Sequence, residues 1–269
     1  MNARHDCADK EKQSGRSQME PRYFRIYGPY RGNGPRFYEP ESLPWTALLR
    51  REAGNIREEL VRYLGRGGRF QPHFVPDRVR LDGWRGIRLV TARRPYRAAW
   101  EAFPHTVGVL RQIPDLVTAS FNILEPGASL PAHHGDTNLF YRAHLGLFVP
   151  GSVEHCGIEV AGERRGWEEG NVLVFNDAYR HHVWNFTDRP RIILICDVMK
   201  REYGGGSRRN CSLLLGAIAL MYLQFRAPVL LRLPRPITSL LHEGFSLPFL
   251  AYLLVNAWPA ANKPYPRGG

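Results

Sequence analysis

Pro131-Ala132-His133-His134-Gly135-Asp136-Thr137-Asn138, followed after a short apolar stretch by Arg142-Ala143-His144-Leu145-Gly146, is the segment on which the reading of this chain turns. A second His pair stands in Phe175-Asn176-Asp177-Ala178-Tyr179-Arg180-His181-His182-Val183-Trp184, and Arg191 follows His181 by ten positions. Successive side chains on a β-strand point to opposite faces, so only one His of each pair can face the interior. Two neutral imidazoles arriving from distant strands can hold one side of a metal while its other positions stay open, as non-haem Fe(II) oxygen chemistry requires.

Each part has a plain explanation when taken alone. His133-His134-Gly135 reads as a turn, with Gly supplying a positive φ, and a single His in a β-rich domain is ordinarily a satisfied core or surface group. The combination is what carries the signal. An Arg on the strand after the second pair offers a planar, permanently charged fork for the far carboxylate of an acidic cosubstrate such as 2-oxoglutarate.

Further short motifs occur in a fixed order: Phe37-Tyr38-Glu39-Pro40 with Leu43-Pro44-Trp45, Glu58-Glu59-Leu60, Gly83-Trp84, Phe103-Pro104-His105-Thr106, Ile113-Pro114, Pro126-Gly127, Gly166-Trp167-Glu168-Glu169-Gly170 and Cys196-Asp197-Val198. With the His-rich segments they make residues 36–200 resemble the aspartyl/asparaginyl β-hydroxylases, Fe(II)- and 2-oxoglutarate-dependent dioxygenases with a double-stranded β-helix core.

The resemblance implies that His133 and His181 are the iron ligands, with His133 eleven positions before His144. Gly135 then stands where a facial triad has its carboxylate, so two-His ligation is expected. An alternative register takes His134-Gly135-Asp136 as a His-x-Asp motif. By the same resemblance Arg191 meets the distal carboxylate of 2-oxoglutarate, Arg142 and His144 surround its metal-proximal end, and Trp84 lies near the pocket. Asn122 occupies a place where the family usually has Ser. The partners of the His pairs, His134 and His182, are left as rim or surface groups.

The activity this implies is hydroxylation of the β-carbon of an aspartyl or asparaginyl residue or a related amino acid, with 2-oxoglutarate and O2 as cosubstrates. Two alternatives remain open: hydroxylation of a lipid acyl chain, known from a related branch acting on lipid A and suited to the apolar tail, and a catalytically silent β-helix binding module.

Composition agrees with a folded enzyme. The chain has 269 residues, 43% of them hydrophobic, which suffices for one core of ordinary domain size plus an appendage. The net charge of +12 is spread along the chain and suits an enzyme whose cosubstrate and aspartyl substrate are both anions. No zinc-finger spacing, RNP-like motif or helix-turn-helix signature indicates nucleic acid. Cys7, Cys156, Cys196 and Cys211 show no C-x-x-C spacing, and no apolar leader precedes the polar N-terminus, so a cytoplasmic location is expected.

The expected architecture is mainly β: a jelly-roll or cupin-like double-stranded β-helix with flanking helices and an apolar, helical C-terminal extension. Residues 1–20 read as disordered, 21–200 as the dioxygenase domain with an extended Pro- and Gly-rich arm over 21–40, and 201–269 as the extension. Leu48, Leu49, Ile56, Leu60 and Leu64 recur at helical intervals, which predicts an amphipathic helix or a broken pair. Strands are expected at 116–124, 140–149, 157–160, 171–175, 182–186 and 191–198, with Glu168-Glu169-Gly170 as a turn. The uncharged runs Cys211 to Phe225 and Phe245 to Trp258 fall short of the roughly 20 residues that cross a bilayer. Helices packed on the barrel are therefore expected there, and the adjoining Arg residues are compatible with peripheral membrane attachment.

Overall fold

A computed structural model describes residues 20–72, 83–204 and 207–256. The expected disorder of the first 20 residues falls almost wholly outside them, as does Cys7. Two antiparallel sheets face one another. The larger, eight-stranded sheet runs from β1 (Phe37–Tyr38) through β10 (Val172–Phe175), β7 (Phe140–Phe148), β12 (Arg191–Met199), β5 (Leu116–Leu124) and β3 (Trp84–Thr91) to β2 (Gln71–Pro72), with β4 (Arg94–Pro95) also paired to β3. The smaller has the order β6 (Ala128–His134), β11 (Arg180–Asn185), β8 (Cys156–Val160) and β9 (Glu163–Gly166). The non-consecutive neighbours mark a double-stranded β-helix, with one core between the sheets and another behind the larger one.

Strand alternation sorts the side chains between these cores. On β12, Ile192, Leu194, Cys196 and Val198 face outward into a cluster with Leu48, Leu49, Ile56 and Leu60. These last belong to α1 (Trp45–Gly65), the helix that the leucine spacing predicts, and it runs unbroken. Arg191, Ile193, Ile195 and Asp197 fall on the opposite, inner face. On β7 the same alternation sends Ala143, Leu145 and Leu147 outward and leaves Arg142 and His144 inside. The helix α3 (Pro104–Leu110) packs on α1, and α2 (Arg97–Ala102) packs on α3 and β3. Buried Glu59 accepts hydrogen bonds from the backbone N–H of His105 and Thr106 at 2.8 Å each, satisfying donors at the start of α3.

The strand expected at 182–186 begins two residues earlier, at Arg180, and so takes in His181. β3 and β6 lack a clear alternating pattern and escape sequence reading; both are half-buried strands interrupted by irregularities of pairing. Glu169-Gly170 forms the expected turn, with Gly170 at φ +78°. Glu169 also accepts from Val149 N–H at 3.0 Å and pairs with Arg57 of α1 at 2.8 Å, tying helix to sheet.

After β12 come α4 (Arg201–Gly204), α5 (Ser207–Arg226), a short 3-10 turn over Pro228–Arg232, and α6 (Arg235–Asn256). α5 packs on the barrel: Cys211, Leu213, Leu214 and Ala217 share a core with Val117, Leu139 and Phe140. The helices start before their uncharged runs because charged and polar residues, Arg208 and Arg209 in α5 and Arg235 and Glu243 in α6, join them. The length argument against a span consequently fails for α6, whose 22 residues are long and apolar enough to cross a membrane. Trp258 lies outside the described residues.

Candidate metal centre and cosubstrate pocket

His133 and His181 are register partners on β6 and β11, their ring centroids 4.3 Å apart. Inward orientation of His133 depends on an irregularity. From His181 to Val183 the β11 chain advances two residues while β6 advances three, from His133 back to Leu130. The extra residue lies at Pro131-Ala132. Proline cannot donate to the ladder and is characteristic of such bulges. The bulge restores parity, so that Leu130 and His133, three residues apart, both line the same cavity.

Local hydrogen bonds fix the tautomers. His133 Nδ1 lies 2.8 Å from Pro131 O, and His181 Nδ1 lies 2.8 Å from Tyr179 O. A carbonyl only accepts, so each Nδ1 carries the proton and donates, leaving each Nε2 lone pair free in the neutral ring. This is the arrangement in which a metal-binding imidazole is held by its outer partner. Burial, opposed by Asp177, depresses the His181 pKa to about 4 and keeps the ring neutral.

Asp177 is the residue that sequence reading passed over. Its Oδ1 lies 3.4 Å from His181 Nε2 and 2.6 Å from Arg142. A Cβ on residue 135 would fall on the Asp177 carboxylate. Gly135 thus leaves room for a carboxylate arriving from the other segment. Its place four residues before His181 is the only sequence signal that points to it. Burial alone would raise the Asp177 pKa, but Arg142 and both imidazoles outweigh it and hold the carboxyl below its usual value.

Arg142 also donates to both oxygens of Asp197, from Nε at 2.7 Å and a terminal nitrogen at 2.9 Å. In this arrangement the guanidinium that the family resemblance implies for the cosubstrate is instead engaged by two carboxylates. Asp177 thus stands beside two open imidazole lone pairs, an anion and two neutral donors that a divalent cation would satisfy. The two open Nε2 lone pairs and the Asp177 carboxylate are a donor set whose chemistry fits Fe(II). Among the described residues no three His, Cys, Asp or Glu side chains cluster closely enough to hold an ion alone, so an exogenous ligand must complete such a site.

Deeper in the barrel, buried Trp167 Nε1 donates to His144 Nδ1 at 3.2 Å. A neutral His144 must then carry its proton on Nε2, which is buried without a partner. Burial, with Arg191 and Arg142 nearby, holds the His144 pKa well below its usual value. Arg191 lies against the Trp167 ring at 4.6 Å, and its buried Nε is also unpaired. Asn122 donates to Ser120 Oγ at 2.8 Å while its Oδ1 is left without a partner. His144 and Arg191 thus leave donors available in a cavity of about 60 Å³ that also presents His133, His181 and Asp177. These unsatisfied donors fit an anionic oxygen ligand. Trp84 lines this cavity with Ile158, Val183 and Ile193.

The remaining histidines lie elsewhere. His134 Nδ1 is bonded to Ala178 O at 3.0 Å, and Asp136 turns toward Arg25 at 3.4 Å. Neither His134 nor Asp136 is among the residues lining the cavity that His133 and His181 share. The His182 ring lies tilted beside Trp184 at 5.1 Å and faces Glu159 on the outer side of the small sheet.

An antiparallel jelly-roll barrel with polar side chains gathered between its sheets defines the general class. The chain belongs to the aspartyl/asparaginyl β-hydroxylase family, whose model matches residues 50–201. It is similar to the ornithine lipid ester-linked acyl 2-hydroxylase of Rhizobium tropici, with 36% identity over 63% of this chain and 62% of that protein. It is also 31% identical to the aspartyl/asparaginyl β-hydroxylase of Homo sapiens over 65% of this chain, but only 24% of that one. The chain therefore spans less than two thirds of either relative. A cupin barrel protein from Salinispora arenicola CNS-205 overlaps 53% of this chain and 97% of that chain at 18% identity, with a TM-score of only 0.30. The strand order, rather than that overlap, defines the fold.

Proposed function

We propose that the protein is an Fe(II)- and 2-oxoglutarate-dependent dioxygenase that hydroxylates an aliphatic carbon. One observation carries this reading: two imidazoles with tautomers fixed for Nε2 ligation meet beside buried Asp177, while the unpaired donors of His144 and Arg191 lie deeper in the same cavity. His133 and His181 would hold the metal. When bound, iron supplies the coupling of O2 reduction to oxidative decarboxylation of 2-oxoglutarate, giving succinate, CO2 and the hydroxylated product. Arg191 anchors the distal carboxylate, and the neutral His144 Nε2–H donates to an oxygen at the proximal end. Asn122, the register partner of Ile193, places a polar side chain on the strand behind that wall. Asp177 and Arg142 orient the ligand sphere, and the apolar wall of Trp84, Ile158 and Val183 excludes bulk water.

The substrate reading that draws most support is an acyl chain of a polar lipid. The relative of which this chain covers the larger share, 62% against 24%, carries that activity in its name, and an outward-facing apolar helix follows the barrel. The second reading is the β-carbon of an aspartyl or asparaginyl residue, favoured by the family match. A succinate-release screen against acylated amino-acid lipids, Asp-containing peptides and free amino acids separates them, because each predicts a different active class. Anaerobic Fe(II) with 2-oxoglutarate is expected to give the weak visible charge-transfer band of a chelate, and His181→Ala to abolish it. An unchanged band in that variant would overturn the ligand assignment.

A further inference from the structure

The fully buried positions of α6 are mostly polar, with half-buried Phe245 and Phe249 beside them. Its buried residues are Thr238, His242, Ser246 and Leu253, the first three spaced by four so that they form one stripe. This polar stripe lies against α5. A Cβ on Gly216 would meet Ser246 N at 2.9 Å and His242 O at 3.1 Å, so the absence of a side chain there permits the close crossing. His242 is fully engaged: Nε2 donates to Leu213 O at 2.7 Å, and Nδ1 accepts from Tyr27 OH at 2.8 Å.

The opposite face is apolar and bare. Ile237, Leu240, Leu247, Leu254 and Val255 are exposed, Leu240 by 73% and Val255 by 83%. At 100° per residue these side chains lie on the far side from the buried stripe, with Glu243 on the flank. An amphipathic helix in water has the reverse arrangement, apolar in and polar out. Small and polar residues at the helix contact with aliphatic residues facing out is the pattern of helices whose surroundings are hydrocarbon.

The charge distribution selects the surroundings. Exposed Val229 and Leu231 on the connecting turn continue the apolar face, interleaved with exposed Arg226, Arg232 and Arg235. No Asp or Glu occurs between Glu202 and Glu243. A basic, apolar ridge of this kind matches the headgroup and acyl boundary of an anionic lipid leaflet. A spanning orientation conflicts with the packing, because α6 lies on α5 and α5 shares the core of the barrel.

We propose that the α5–α6 hairpin is an in-plane membrane-binding surface, with the outward side of α6 and the Pro228–Arg232 turn set into an anionic bilayer. This assignment does not depend on the chemistry of the barrel.

The test is flotation of the full chain with vesicles of phosphatidylcholine alone or with 30% phosphatidylglycerol. The protein is expected to float with the anionic vesicles, and 0.5 M salt to weaken but not abolish the association. Leu240→Glu/Leu247→Glu should lower partition at least tenfold, Arg232→Glu/Arg235→Glu should remove the anionic preference, and Val61→Glu, at an exposed apolar site on α1, should change nothing. Circular dichroism of each variant verifies folding. A wild-type protein that stays monodisperse and unbound would overturn the assignment, as would a dimer dissociated by Leu240→Glu/Leu247→Glu without vesicle binding. Full retention by that double variant would do the same, and resistance to alkaline carbonate would overturn the in-plane orientation.

Discussion

Replacing Arg191 by Met separates the cost of its buried charge from its use. Arg191 is 2% exposed, and no carboxylate pairs with it among the described residues. Burial lowers its pKa from 12.5 to about 10, which at about 1.4 kcal/mol per pKa unit corresponds to about 3 kcal/mol for keeping the guanidinium charged. The sign follows from linkage. The depressed pKa means that the unfolded chain binds the proton more tightly, so the cost is fully present at neutral pH and fades only above about pH 10. Methionine keeps most of the packing on the Trp167 ring but forfeits a cation–π attraction of about 1–2 kcal/mol. The apo variant should therefore be more stable by about 1–2 kcal/mol, or about 3–6 °C in Tm for a chain of this size. Wild type should gain about 2.7 kcal/mol from 2-oxoglutarate at 100 times its Kd, measured anaerobically with Mn(II), and the variant almost nothing. Calorimetry of both proteins, with and without ligand, reads both effects. An apo variant destabilised by more than about 1 kcal/mol, or one showing the wild-type ligand shift, would refute the assignment of this cation as an empty anion anchor.

Three further expectations follow from the same cavity. Trp167→Phe removes the donor that holds the His144 tautomer and should raise KM for 2-oxoglutarate about tenfold with little change in kcat, as initial-rate kinetics would show. Gly135→Asp should not create a working triad: its side chain would displace Asp177 from Arg142, and Fe(II) affinity should fall about 10- to 100-fold in a competition titration. The third concerns pH. Because His181 has a folded pKa of about 4 against the ordinary 6.5, the unfolded chain takes up a proton first, and apo stability should decline as pH falls through that window. Urea unfolding should show its share as about 2–3 kcal/mol between pH 7 and pH 4.5, absent in His181→Leu.

Much of this was legible in the order of residues. Periodicity located α1 and most of the long strands, and the Pro, Gly and Asp punctuation separated them. The two His-rich segments and Arg191 could be recognised because each contains an uncommon residue combination, readable without knowing what surrounds it. Tertiary structure alone decided the rest. Which His of a pair faces inward depends on a bulge at Pro131-Ala132, and a one-residue change of parity reverses every side chain downstream. Asp177, Trp167 and the double engagement of Arg142 depend on neighbours brought from other strands, where donors and acceptors become partners only by proximity. The bare side of α6 likewise became visible only once the polar stripe was seen buried against α5. Composition records how apolar a helix is, whereas the packed structure decides which side of it faces the protein.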